Sequence, residues 1–196
     1  MRSTWQLAPA LLALAMSQPA GAEVTTSTNI SYFTVEGRTP AEIYKAILDR
    51  GPRVSGARAL ASIGTMAAQD GGLKEENGSC RVTGYVITLE FDIKRPRIAN
   101  EQVLPAEDRA MWEQMNVFIA AHEDQHKKVW ESCAADLDRR IAALSTPDCK
   151  ETIAKAESLW NDMLARCDRT QRSFDSAQSA ALLRQPFMQR ALKSAQ

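Results

Sequence analysis

Histidine is nearly absent from this chain: there are 2 among 196 residues. Charge bias is absent too, since 24 Lys and Arg balance 24 Asp and Glu. That argues against nucleic-acid binding, which calls for a basic balance or patch. No apolar run is long enough to span a bilayer; the longest candidate, 7–16, is too short, which excludes stable membrane insertion. Cysteine is sparse, at Cys80, Cys133, Cys149 and Cys167. The nearest pair, Cys133 and Cys149, is sixteen apart, a spacing that fits no zinc ribbon.

The N-terminus explains the short apolar run. "MRSTWQLAPALLALAMSQPAGA" carries Arg2, then the apolar stretch, then small residues at Ala20, Gly21 and Ala22. This is the order of a secretory signal peptide, 1–22, with cleavage after Ala22. No cysteine lies near that point, so a lipid anchor there is excluded. The expectation is a periplasmic or secreted domain, 23–196. In that compartment an even cysteine count reads as two disulfides.

Tyr32 to Val35 suit a strand, and Gly37 breaks it. Thr39, Pro40 and Glu42 make a capping box that opens a helix with Ile43, Ala46 and Ile47 on its apolar face; Gly51-Pro52 ends it. Within 53–79, "ARALASIGTMAAQ" fits either a strand or a short helix, and "DGGLKEENGS" reads as a loop. Tyr85, Ile87, Leu89, Phe91 and Ile93 then alternate with polar residues, predicting a strand that Pro96 stops. From about 106 to 144 an apolar stripe at steps of three and four predicts one long helix. Thr146 is its successor's cap candidate and Pro147 that helix's first residue. The next stripe runs Ile153, Ala156, Trp160, Leu164, Cys167, Gln171, Phe174. The tail after about 181 is weakly patterned and reads as a short helix or loose chain. The fold class predicted is α+β: a small antiparallel sheet, an N-terminal helix and a long C-terminal helical hairpin.

Both histidines stand in "AAHEDQH", as His122 and His126, with Glu123 directly after the first. On a helix, residues four apart share a face, so two imidazoles can direct one nitrogen each at one zinc ion. Glu123, one step round, can reach a water beside that ion and take its proton. Both histidines lie in the apolar stripe between Ile119 and Val129, where a buried ring needs partners for its nitrogens. The plain alternatives are a pair of core histidines bonded to backbone or carboxylates, and Glu123 as an ordinary helical ion pair with Lys127.

"YFTVEGRTPAEIYKAILDRGP", "CRVTGYVITLEFDIKRP" and "MWEQMNVFIAAHEDQH", in that order over about 31–130, resemble a bacterial family of unknown function. Its members are described as predicted secreted zinc-dependent proteases. The resemblance implies a zincin-like fold, with His122 and His126 as Zn2+ ligands and Glu123 as general base. The family has tryptophans where "ARALASIGTMAAQ" has none. It also ends the last helix with Tyr-Asp and a later histidine; here the run is "FDSAQSAA", and Ala180 holds the histidine's place.

With both histidines used, the third ligand is a carboxylate, a thiolate or nothing. A hairpin turning near 146–147 brings His122 and His126 opposite residues near 168–172. Asp168 and Asp175, seven apart, share one face there, and Asp175 follows Phe174 in the Tyr-Asp slot. Asp175 is the ligand expected. The same hairpin puts Cys133 opposite residues near 160. Pairing Cys133 with Cys167, and Cys80 with Cys149, asks for the smaller shift. The function expected is a metallopeptidase acting on a peptide or protein substrate, with the strand over 85–93 pairing beside it. The alternative is a non-catalytic degenerate zincin, an exported binding or zinc-holding module.

Overall fold

A computed structural model describes residues 23–54 and 56–193; the expected signal peptide, 1–22, lies outside the described residues. The chain opens with strand β1, Glu23–Val35, rich in Thr and other β-branched residues. Helix α1, Pro40–Arg50, follows with the expected cap. Thr39 accepts a bond from the Glu42 amide, and Glu42 Oε2 reaches back to the Arg38 amide at 2.7 Å. Two short strands, β2 (Arg53–Val54) and β3 (Ala57–Arg58), pair with each other. Then come two long strands, β4 (Ser62–Glu76) and β5 (Ser79–Ile98).

This hairpin corrects the reading of 70–79 as a loop. Both strands run to a two-residue turn at Asn77-Gly78, with φ of 53° and 70°, and Glu76 pairs with Ser79. Two successive left-handed residues match the twist of the flanking strands, which is why Asn-Gly is favoured there. The turn chemistry lies in two residues, and the strand continues through the polar run around them. Near the middle, Gly84 and Tyr85 on β5 oppose the single residue Gly71 on β4, with Gly84 at φ 56°. The bulge shifts the alternation by one, so Cys80 and Val82 point to the same covered face as Tyr85 and Ile87.

Strand β5 also runs past Pro96. β4 ends at Ser62, opposite Lys94, so beyond it β5 has a neighbour on one side only. A residue without an N–H is tolerated at such an edge.

After a 3-10 turn at Glu101–Val103 comes helix α2, Ala106–Ala142. The short strand β6, Ser145–Thr146, pairs with Cys80 and Arg81. Helix α3, Cys149–Leu183, is capped by Asp148, not by Thr146; Pro147 lies outside the helix. Thr146 instead bonds the Asp148 carbonyl at 2.7 Å and the Thr152 hydroxyl at 2.6 Å. Helix α4, Pro186–Lys193, shows the tail to be helical and packed, with Phe187 and Met188 buried.

The fold is α+β as expected, with one difference: the sheet is mixed. Its order is β1-β5-β4, β4 antiparallel to β5 and β1 parallel to it. The chain passes from the end of β1 through α1 to the start of β4 at the same end of the sheet; β4 runs back, and the Asn77-Gly78 hairpin turns β5 to run with β1. Both expected disulfides are present, Cys80–Cys149 with Cα atoms 5.1 Å apart and Cys133–Cys167 at 6.2 Å.

Two apolar clusters hold these elements. One gathers Trp112, Met115 and Ile119 of α2 with α1, α4 and the end of β1. The other gathers Cys133, Ala134, Leu137 and Ile141 of α2 with Tyr85 to Phe91 and α3. His122, Glu123 and His126 occupy the stretch of α2 between the two clusters.

Candidate metal centre

α2 and α3 pack as an antiparallel pair, and the paired levels bring Asp175 to the histidines. Asp175 Oδ1 lies 3.2 Å from His122 Nε2 and 2.9 Å from His126 Nε2, and the two Nε2 atoms are 3.0 Å apart. These three residues are the one set among the described residues in which three potential metal donors converge. Asp168, the other carboxylate considered, stays apart: it pairs with Arg172 at 2.5 Å.

Gln171 fixes the second ring. The His126 carbonyl can only accept, so the Gln171 amide nitrogen faces it, at 2.9 Å. The other amide atom, Oε1, then meets His126 Nδ1, which must carry the hydrogen. In the neutral ring Nε2 is left as the lone-pair nitrogen, the one facing Asp175 and His122. A lone pair and a carboxylate oxygen 2.9 Å apart repel unless a proton or a cation sits between them.

The donor set fits a zinc ion. Donors about 2.0–2.2 Å from a tetrahedral zinc stand about 3.3–3.6 Å from one another. The separations seen, 2.9 to 3.2 Å, lie a few tenths of an ångström inside that. Phe174 packs against both rings, 4.9 Å from His122 and 5.0 Å from His126, and limits their rotation. Burial, and then His126, push the His122 pKa down, while Asp175 pulls it up. A depressed imidazole pKa favours the neutral form that binds metal. His122 Nδ1 is buried with no hydrogen-bond partner among the described residues.

Glu123 lies beside this cluster and is only 4% exposed. The ordinary ion pair with Lys127 does not form: Lys127 reaches Glu131 at 3.7 Å, and Lys128 takes Asp124 at 2.7 Å. Burial pushes the Glu123 carboxyl up to about 7, against the pull of His126 and Arg95. Arg95 projects from β5 with its Nε buried and without a hydrogen-bond partner among the described residues.

A cleft of about 660 Å³ opens over these groups. α1, the 58–65 segment, α2, α3 and α4 all line it, and Glu123, His122, His126 and Asp175 face into it. The expectation that 85–93 would pair with a substrate is corrected here. β5 is hydrogen-bonded on both sides, so it has no free edge over those residues. β4, the edge strand of the larger sheet among the described residues, borders the cleft at Ser62, Ile63 and Thr65.

Two residues that the sequence reading passed over belong to this centre. Gln171 was in view as the one amide in an otherwise apolar stripe of α3. Arg95 continues the inward phase of Tyr85 to Ile93, and a charge in that phase is itself a signal of a buried partner.

Residues 30–181 match a family described as a bacterial protein of unknown function (DUF922). The chain belongs to this family. The matched region holds His122, Glu123, His126, Gln171 and Asp175, and it stops before Leu182 and α4. No curated protein and no solved structure matches the chain.

Proposed function

We propose that this chain is an exported zinc-dependent peptidase, zincin-like in its site, released as 23–196 from a signal peptide at 1–22. The observation that carries the reading is the convergence of His122 Nε2, His126 Nε2 and Asp175 Oδ1 beside the buried Glu123 carboxylate, which forms no ion pair with a lysine or arginine among the described residues. Two disulfides suit an oxidising compartment, and among the described residues no helix is long and apolar enough to cross a membrane.

A zinc ion, if bound, would be held by these three residues and would supply a Lewis acid able to polarise a peptide carbonyl and acidify a water. Glu123 takes the proton from that water as its oxygen bonds to the carbonyl carbon. It then gives the proton to the leaving nitrogen as the C–N bond breaks. Gln171 keeps His126 in the tautomer that presents Nε2. The free edge of β4 offers backbone groups to an extended peptide lying across the cleft.

The test is zinc content of the purified mature protein by elemental analysis, with hydrolysis of a mixed peptide pool by wild type and by Glu123→Gln. Near one zinc per chain, with hydrolysis lost in the variant, supports the peptidase. Zinc bound with no hydrolysis by either protein refutes it and favours an exported zinc-holding module.

A further inference from the structure

The two outer strands of the larger sheet, β1 and β4, are built differently. β4 borders the cleft with its first residues; beyond them it carries Asp70, Lys74, Glu75 and Glu76, and its ladder is interrupted at Gly71. Charges and irregularities of this kind keep an open edge from pairing with another chain. β1 has neither. From Val24 to Val35 it holds no charged residue, no proline and no register shift against β5. Yet β5 is its one strand neighbour among the described residues. The unguarded edge runs the length of a 13-residue strand, about 43 Å.

The backbone shows which groups that edge offers. The Ala99 amide donates to the Val35 carbonyl at 2.9 Å, so the odd-numbered residues of β1 turn their N–H and C=O toward β5. Alternation then aims those of Val24, Thr26, Thr28, Ile30 and Tyr32 at the open side. The side chains of these residues share a face with Ile87, Leu89, Phe91 and Ile93, their neighbours on β5. Ile30 and Tyr32 nevertheless remain 44% and 51% exposed.

Charge identifies an occupant. A second copy of β1 is itself an uncharged open edge. Paired antiparallel over all of Glu23–Val35, the two copies place a twofold axis at Asn29. Thr28 then meets Ile30 of the partner subunit, and Thr26 meets Tyr32 of the partner subunit, all through outward-facing backbone groups. A charge near the axis would meet its own copy, and β1 has none there. Its single charge, Glu23, falls opposite Val35 of the partner subunit. Arg50 stands at that end of the edge: its Nη1 lies 3.4 Å from the Thr34 carbonyl, and no carboxylate pairs with it among the described residues. Each end of the pairing thus brings a carboxylate to a guanidinium that lacks one.

We propose that this chain forms a homodimer through β1, two copies pairing edge to edge and antiparallel about Asn29 so that their larger sheets become one. Ile30 and Tyr32 of both copies gather beside the axis and lose their exposure. No residue of β1 lines the cleft, so both clefts stay open. The pairing requires neither zinc nor hydrolysis.

Sedimentation velocity of the mature protein over a range of concentrations reads the association. Wild type should reach twice the monomer mass by about 100 µM. Thr28→Lys and Ile30→Lys, both at exposed positions, put like charges beside the axis and should raise the dissociation constant at least about tenfold. Their circular dichroism spectra and zinc content should match wild type. Asn29→Cys should yield a disulfide-linked dimer in air, since Cα atoms paired at the axis stand about 4.5–5.5 Å apart. Ser31→Cys should not, because its two copies lie about 14 Å apart along the ladder. A dimer that both lysine variants leave intact, or cross-linking at Ser31 and not at Asn29, overturns the proposal. A wild type that stays monomeric at every concentration overturns it too, even where the edge takes up some other extended chain.

Discussion

Gln171→Leu is the substitution that separates a prearranged metal site from a chance meeting of side chains. Gln171 makes two contacts with one histidine: its amide nitrogen donates to the His126 carbonyl at 2.9 Å, and its oxygen accepts from Nδ1. Leucine has similar bulk and keeps the apolar packing of α3, but it makes neither bond. Each bond contributes about 0.5–1.5 kcal/mol net. Freed of both, His126 can present either nitrogen and rotate, and outer partners of metal-bound histidines typically govern about 10–100-fold in affinity. The zinc dissociation constant should therefore rise about 10–100-fold, equivalent to about 1.4–2.7 kcal/mol. Gln171→Glu keeps an acceptor for Nδ1 and loses only the donor to the carbonyl, so its affinity should fall less. The assay is competition with a chromogenic chelator, paired with nitrogen NMR of the metal-free protein to read which ring nitrogen carries the hydrogen. Equal zinc affinity in Gln171→Leu and wild type, within about twofold, would refute the argument that this glutamine sets the ring.

Asp175→Ala should weaken zinc binding sharply while Asp168→Ala leaves it near wild type, because Asp168 is already taken by Arg172; the same chelator competition reads both. Trp112→Ala should cost about 3–5 kcal/mol in urea denaturation, since the ring is fully buried against Phe187 and its loss opens a cavity under α4. Gly78→Ala should cost about 1–2 kcal/mol, because the turn holds this residue at φ 70° with nothing for a new methyl group to pack on; an unchanged unfolding midpoint would show that the turn relaxes. Reducing both disulfides should lower stability by several kcal/mol, about 4 for the Cys133–Cys167 loop of 34 residues alone, as seen in denaturation with and without reductant.

The placement of the candidate residues was legible where helical period alone decides it. His122, Glu123 and His126 fall on one stretch of one helix, so their grouping needs no tertiary information. Asp175 came from the antiparallel hairpin and was reached although the turn was misplaced. A hairpin turning at 146–147 sets Cys133 opposite residues near 160, yet Cys133 meets Cys167, and His126 meets Gln171. The offset, about two helical turns at Cys133, arises because Ser145–Thr146 is drawn into the sheet and α3 starts only at Cys149. Local capping rules saw a Thr-Pro start and could not see the Cys80 backbone that Thr146 pairs with. The 70–79 loop failed for a related reason: Lys, Glu and Gly are poor strand formers, and the pairing of Lys74 with Arg81 and of Glu75 with Cys80 overrides that preference. The parallel placement of β1 was out of reach, since alternation gives a strand's faces and not its direction.

The staple between α2 and α3 has a consequence for when the centre can exist. Cys133 lies seven residues after His126, and Cys167 eight before Asp175, so the disulfide sits about two turns from the donors on each helix. Joined there, the two helices hold the aspartate at a high effective concentration over the histidine pair. In the reduced chain the helices meet through packing alone, and a metal that gathers all three donors must itself close the long loop between them. The disulfide therefore lowers the cost of bringing Asp175 over the two histidines, so the geometry of the three side chains depends on the cysteines being paired.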